Sequence, residues 1–389
     1  MDFQLSVEQT QMRDSTREIV KRDIDPILEK NDRNRALPKA DALRIFKTFA
    51  AQGLTAPRLP EADGGPGLKM LDYGITFEQL PCSVAMAIMA HEGCVTRLNA
   101  ECSAEQKRRF LPDLIAANII GCTGTTEPDS GSDLRAIKTR LTRRNGKLVL
   151  NGRKLWISNA SVCDVMIVTC VEQAEASGRA EFRKVIVDRR ESPFEAHEID
   201  MIGLKQGYLG EVTFDDNVVA EENLIASTDD ATRSLSSSWN VNRALVALQA
   251  VNLAQRSFDA ALDYAKIRCQ FGKPIAGHQL IQSTLSQMVT VIDASRLLAY
   301  RALDAIDHGD TGHANSAMAK RFAQTECGKV IWEAMNVLGS MGLSSEAKLE
   351  EHYRDIRMLA TPDGTNEILA LIHGRELTGL SAFRDRPRS

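Results

Sequence analysis

Near the C-terminus a carboxylate stands beside a glycine. The run is Arg354-Asp355-Ile356-Arg357, then Thr361-Pro362-Asp363-Gly364-Thr365-Asn366-Glu367-Ile368. A carboxylate in a dry site can take a proton from carbon, and a neighbouring glycine lets another group approach the backbone closely. Pro362 fixes its own φ and holds Thr361 extended, so the loop has a restricted path. Far upstream, Gly124-Thr125-Thr126-Glu127-Pro128-Asp129-Ser130-Gly131-Ser132-Asp133 gathers hydroxyls, glycines and backbone N–H groups. Such a loop can hydrogen-bond a phosphate or the polar edge of a ring, or it is a connection rich in turn residues. Tyr264-Ala265-Lys266-Ile267-Arg268-Cys269-Gln270-Phe271-Gly272-Lys273-Pro274-Ile275 ends a helix at Gly272 and Pro274. Arg268 there can grip a pyrophosphate bidentately, or simply favour the dipole of the helix end.

These residues need elements to carry them. At 389 residues the chain is long enough for two or three domains. Helical apolar spacing runs from Ser6 to about Ala117, broken by the loop Pro60-Glu61-Ala62-Asp63-Gly64-Gly65-Pro66-Gly67. Ser6-Val7-Glu8-Gln9 reads as a capping box. Short β-branched runs then follow: Thr139–Thr142, Leu148–Leu150, Lys154–Ser158, Val165–Val168, Val185–Val187 and Val212–Phe214. Asn145-Gly146 marks a hairpin, and a second Asn-Gly, Asn151-Gly152, leads into Lys154–Ser158. From about Arg243, Ala and Leu recur at helical spacing. Ile281, Leu285, Met288, Ile292 and Leu297 lie on one long helix, and Phe322, Val330, Ala334 and Val337 on another. The expected architecture is α+β and multidomain: a helical domain at 1–120, a central antiparallel β domain at 121–230, and a C-terminal four-helix bundle at 231–389.

Composition narrows the function. The formal net charge of −4 gives no reason to expect nucleic acid as a partner. Only Arg384, Arg386 and Arg388 form a basic group, at the very end. No run of eighteen or more apolar residues predicts a membrane span, and the start lacks a secretory pattern. The eight cysteines contain no Cys-x-x-Cys pair and suit buried thiols in a reducing compartment, so a cytoplasmic protein is expected. The seven histidines show no metal-ligand spacing, and no metal is expected.

Taken in order, the motifs resemble those of the acyl-CoA dehydrogenase family across nearly the whole chain. The loop at 124–133 is similar to the family's Thr-Glu-Pro-x-x-Gly-Ser-Asp. The resemblance implies that Thr123, Thr125, Thr126 and Gly131 serve an FAD isoalloxazine, and that Ser132 lies near the pantetheine of a bound thioester. Lys154-Leu155-Trp156-Ile157-Ser158-Asn159-Ala160 resembles Trp-Ile-Thr-Asn-Gly, which implies that Trp156 packs on the flavin and Ser158 hydrogen-bonds it. Taken alone, a strand Trp is more often core. Arg268 and Phe271 match residues that reach the FAD of a neighbouring subunit. Asn336, Gly339 and Ser340, in Asn336-Val337-Leu338-Gly339-Ser340-Met341-Gly342, match the contact to its adenosine half. Thr365 and Glu367 fall with the cofactor set, and Arg243 and Gly364 with the substrate set. The implied assembly is a homotetramer, with acyl-CoA or an acyl carrier protein as substrate and an electron-transfer flavoprotein as acceptor.

The departures carry information too. Asp363 stands where the family has its proton-abstracting Glu, and Pro362 replaces a Tyr. Asn242 occupies a helix position where some branches keep the base, so that location holds an amide. Aspartate is one methylene shorter, and a misplacement of about 1 Å can cost roughly a hundredfold in rate. Three readings follow. Asp363 is the base of an α,β-dehydrogenation, or the scaffold runs another flavin reaction such as that of nitroalkane oxidase, or the protein is a non-catalytic or nucleic-acid-binding relative. The first leads because Ser132, Arg243 and Gly364-Thr365 are kept with a carboxylate. The acyl chain is unmarked: His91 and Glu92 either make the pocket wall around Met86–Glu92 polar or face solvent.

Overall fold

In the computed structural model, residues 4–173, 180–226 and 231–382 are described. Arg384, Arg386 and Arg388 lie outside them, as do residues 227–230, where the boundary between β domain and bundle was expected. The first third is helical: α1 (Val7–Ile19), α2 (Asp25–Lys30), α3 (Lys39–Ala50), α4 (Met70–Phe77), α5 (Cys82–Glu101) and α6 (Ala104–Ile115). The capping box forms as its sequence dictates. Ser6 Oγ accepts from the Gln9 amide at 3.2 Å, and Gln9 Oε1 accepts from the Ser6 amide at 3.0 Å. Ser103 and Gln106 repeat the device at the start of α6.

The middle third is a sheet of β1 (Gly121–Gly124), β2 (Arg140–Arg144), β3 (Lys147–Ser158), β4 (Val165–Gln173), β5 (Ala180–Asp188), β6 (Glu195–Glu198), β7 (Leu209–Val219) and β8 (Leu224–Ile225). The strand order is β6-β7-β3-β2-β4-β5-β8, with β1 against β4. The sheet is mixed rather than wholly antiparallel, because β4 runs parallel to both β1 and β2. β4 is buried along Val165–Cys170, with Thr169 its one polar residue, so it does not alternate.

The two Asn-Gly pairs behave differently. Asn145 and Gly146 both have positive φ, 51° and 74°, and turn β2 into β3 with Arg144 opposite Lys147. Asn151-Gly152 does not turn the chain; it is a bulge within the continuous β3. There Gly152 has φ 150°, and a Cβ would come within 2.7 Å of Thr139 Cα, so glycine is required by close packing rather than by a reversal.

The last third packs α7 (Ala231–Ile267), α8 (Gln279–Asp307) and α9 (Ala314–Leu338) side by side, with the shorter α10 (Leu349–Met358) and α11 (Asn366–Thr378) against α9. A small hairpin of β9 (Cys269–Gln270) and β10 (Lys273–Pro274) joins α7 to α8. Every residue from Val241 to Leu253 is buried, which makes α7 the central helix of the bundle. Leu297 and Phe322, at apolar helical positions, are instead on the surface. No described helix is long and apolar enough to cross a membrane. Cys269 is exposed and the other seven cysteines are buried.

The helical layers join through close contacts. Gln249 and Asn252 of α7 donate to the carbonyls of Phe77 and Glu78, each at 2.6 Å. Gly74 of α4 lets that helix sit directly on the bundle, where a Cβ would fall 2.2 Å from Leu303 Cδ1 and 3.1 Å from Leu248 Cδ1. Gly74→Val is therefore expected to push α4 off α8 and destabilise the protein by about 1–3 kcal/mol, the usual range for overpacking. Thermal and denaturant unfolding would measure it, and an unchanged midpoint would contradict this packing.

Candidate active site

Asp363 lies in the loop between α10 and α11, in a left-handed backbone conformation with φ 54°; Gly364 follows at φ 112°. Aspartate and glycine tolerate such angles better than other residues, yet the arrangement still needs support. Lys320 of α9 supplies it. Its Nζ is fully buried and donates to the carbonyls of Pro362 and Gly364, the latter at 2.7 Å, and reaches that of Ala360 at 3.5 Å. Arg243 of α7 adds a donor, Nε to the Asp363 carbonyl at 2.9 Å, while its Nη1 meets His313 Nδ1 at 3.0 Å. Thr365 then caps α11 by accepting from the Ile368 amide.

Asp363 is half-buried as a residue, and burial dominates the chemistry of its carboxyl. Burial pushes its pKa above the usual aspartate value; Lys320, Arg243, Arg97 and a hydrogen bond from Asn242 pull the other way. Burial lowers Lys320 to about 8. Behind Asn242 a polar chain continues. Arg58 Nη2 donates to Asn242 Oδ1 and to Glu92 Oε2, both at 2.7 Å, and Thr96 donates to Glu92 Oε1 at 2.6 Å. Glu92 is fully buried. His91, beside it, turns elsewhere: Nε2 meets the Leu114 carbonyl and Nδ1 accepts from the Gly121 amide, each at 3.0 Å. Burial lowers its pKa to about 4, so it is a neutral structural histidine. Neither residue faces solvent: both are buried, and Glu92 belongs to the polar chain behind Asn242.

A cavity of about 340 Å³ opens nearby, lined among others by Met86 and Ala87 of α5, Ser158, Leu209, Met358 and Pro362. In the β domain the loop at Glu127 is pinned by a buried ion pair. Lys154 Nζ binds Glu127 Oε1 at 2.8 Å and the carbonyls of Thr125 and Thr169 at 3.2 and 2.6 Å. Glu127 also accepts from the amides of Lys138 and Thr139 at 2.6 and 2.9 Å. Thr125 is buried with its hydroxyl 3.4 Å from that of Thr169, so only its neighbours Thr123 and Thr126 keep accessible side chains. Trp156 is not core: it has φ 61° at a bulge between β3 and β7 and is 49% exposed. Gly131 and Ser132 are exposed loop residues, and Glu367 is exposed at the start of α11.

Arg268, Phe271, Asn336, Gly339 and Ser340 are exposed on this chain, Phe271 at 95%. Sequence reasoning missed Lys320, Arg58 and Arg97, which are charged residues in otherwise ordinary contexts. A lysine among the small residues of α9 was the available signal for Lys320. Among the described residues no group of His, Cys, Asp and Glu is placed to hold a metal.

The family descriptions "Acyl-CoA dehydrogenase, N-terminal domain", "middle domain" and "C-terminal domain" match residues 6–118, 122–217 and 232–378. A glutaryl-CoA dehydrogenase of Desulfococcus multivorans is 31% identical over 390 residues, covering 98% of this chain and 99% of the relative. Among solved structures, butyryl-CoA dehydrogenase of Megasphaera elsdenii superposes with TM-score 0.89 at 27% identity, covering 97% of this chain and all of the other. A glutaryl-CoA dehydrogenase of Mycobacterium smegmatis, in complex with FADH2, superposes with TM-score 0.88 at 26% identity, covering 98% and 97%.

Lys154→Met leaves Glu127 buried without its cation. The expected cost is about 3–5 kcal/mol, the range for breaking a buried pair. Denaturant unfolding measures it, and a loss below about 1 kcal/mol would show that the loop does not depend on the pair.

Proposed function

Because this chain belongs to the acyl-CoA dehydrogenase family, FAD-dependent oxidoreductases acting on CH–CH bonds, we propose that Asp363 is the base that removes the α-proton of its acyl thioester substrate. The observation that carries this reading is the Asp363 carboxyl itself. Its loop neighbour Pro362 lines the cavity, its pKa is raised by burial, and two cations fix its loop. A carboxylate whose pKa is raised by burial in a dry site suits proton abstraction from carbon.

The residues present fit a flavin. An exposed indole rises from a bulged strand, the Ser158 hydroxyl lies two residues on, and the Thr126 loop is locked against that strand by its carbonyl, which accepts from the Leu155 amide at 3.0 Å. FAD when bound accepts the hydride from the substrate β-carbon. Trp156, Thr123, Thr126 and Ser158 would hold its ring, with the Thr125 backbone and Gly131 shaping the loop. Thr365 and Glu367 stand at the N-terminus of α11, where backbone N–H groups favour anions. Arg243 and Lys320 position the base through backbone carbonyls, and Asn242 orients its carboxylate. Ser132 and Gly364 would meet the thioester, presented by coenzyme A or by an acyl carrier protein.

The exposed Arg268, Phe271, Asn336, Gly339 and Ser340 support a site completed by a second subunit, in a homotetramer. Light scattering of flavin-loaded protein should give an oligomer; a fully loaded monomer would refute it. An electron-transfer flavoprotein is the proposed acceptor, the cytoplasm the proposed compartment, and 1–120, 121–230 and 231–389 the proposed domains.

Anaerobic bleaching of the bound flavin by acyl-CoAs tests the reaction. Asp363→Asn should keep FAD and lose bleaching by about 10²–10⁴-fold, the contribution of a positioned base. Bleaching at the parent rate would remove Asp363 from the role, and no bleaching of the parent by any acyl-CoA would favour a different flavin reaction. The pH profile gives a second check. Asp363 must be ionised to act, so the rate falls on acidification at a pH above the ordinary aspartate range. Lys320→Met deletes the strongest charge favouring the ionised form and should move that acid limb to higher pH. A limb that stays in place would exclude Lys320 from tuning the base.

A further inference from the structure

Arg97 differs from the other cations around Asp363. Lys320 and Arg243 spend donors on loop carbonyls, and Arg58 holds Glu92 and Asn242. Arg97 is 6% exposed, and among the described residues its Nε and Nη1 have no hydrogen-bond partner. The anions acting on it are Glu101 and Asp363. Glu101 is bound by Lys184 at 2.7 Å, and Asp363 already faces Lys320 and Arg243. Glu92, on the same helix, is matched by Arg58. A buried guanidinium with spare donors and no anion of its own is costly to keep.

Space adjoins it. Side chains on a helix lean towards its N-terminus, so Arg97 covers the turn that holds Gly93. Gly93 is buried, yet a Cβ there would meet no atom within 4 Å. One turn and then two turns further back on this face stand Met89 and Met86, and Met86 lines the cavity that Ser158 and Pro362 share. One face of α5 therefore runs from that cavity, past two pliable methionines and an open interior space, to an unspent cation.

We infer that this face of α5 receives the acyl group and that Arg97 binds an anionic group at its far end, so that the substrate is an acyl thioester carrying a second carboxylate. This rests on the acyl-thioester reading above. Guanidinium and carboxylate match as a two-donor fork, and in a buried site such a contact also rejects a neutral chain end, which would leave Arg97 unpaired.

The test compares a coenzyme A monothioester of a dicarboxylic acid with the length-matched, uncharged acyl-CoA. Binding is measured by calorimetry on flavin-loaded Asp363→Asn protein, which separates recognition from turnover. The carboxylated ligand should bind about tenfold or more tightly, the effect of a charge-assisted hydrogen bond. Adding Arg97→Met should bring the two affinities to within about twofold of each other. Gly93→Leu, which fills the space beside Arg97, should also erase the preference and serves if Arg97→Met does not fold. Equal affinities, no binding of either ligand, or a preference that survives both substitutions would overturn the inference. Failure of both thioesters to bleach the parent flavin, with the binding preference intact, would count against the dehydrogenation alone.

Discussion

One buried ammonium holds the loop that carries Asp363. Lys320 gathers carbonyls from both sides of Asp363, so the backbone takes a path it would not keep unaided. Three consequences follow from a single lysine. The loop's acceptors are satisfied away from water, where each unpaired one would cost about 1–3 kcal/mol. The left-handed angles at Asp363 and Gly364 become affordable within the fold. And a positive charge stays close to the carboxyl without forming a direct ion pair that would fix the carboxylate out of reach. Arg243 repeats this logic from α7, also through a carbonyl. The bundle thus positions the carboxylate by gripping its backbone.

The rest of the site is organised around the cost of burying charge. Asp363, Glu92 and Glu101 are met by Lys320, Arg58 and Lys184 respectively, the last two pairs at 2.7 Å. Lys154 and Glu127 do the same under the β-domain loop. Each pair spans elements distant in sequence, and removing one partner strands the other, so these contacts fix register more than they add stability. The pairs also set the layers against each other: Lys154 binds a loop to a strand, and Arg58 links the N-terminal loop to α5 and α7.

What the sequence made legible follows from the range of the interactions involved. The capping box at Ser6, the Asn145-Gly146 hairpin and the long bundle helices rest on neighbours within a few residues, and they stand where their patterns put them. The loop signatures around Thr126, Trp156 and Asp363 were visible because they are contiguous. Asn151-Gly152 was ambiguous because the same dipeptide serves a turn or a bulge, and only the approach of Thr139 decides between them. Arg58 and Arg97 carried no local mark, and Lys320 only that of a lysine among small residues. The partners of Lys320 and Arg58 lie tens to hundreds of residues away, and nothing in a helix's apolar period says that a single charged residue faces inward. The mixed sheet was hidden for the same reason, since the parallel pairing of β4 with β1 and β2 is set by the crossovers rather than by strand composition.

On the reading that Asp363 is the base, the short side chain and the turned backbone form one solution. A left-handed residue followed by a positive-φ glycine suits aspartate better than most residues with longer side chains, because its short polar group makes that region accessible. The proline before it narrows the alternatives for the approach to the turn. Asn242 completes the arrangement. A carboxylate at that position would put two like charges at hydrogen-bonding distance, raise the pKa of both and share one proton between them. The amide instead favours the ionised form of Asp363 and passes its own carbonyl oxygen to Arg58, which Glu92 anchors in turn. Moving the base from glutamate to aspartate, and keeping an amide at the neighbouring helix position, are in that sense a single adjustment to one charged site.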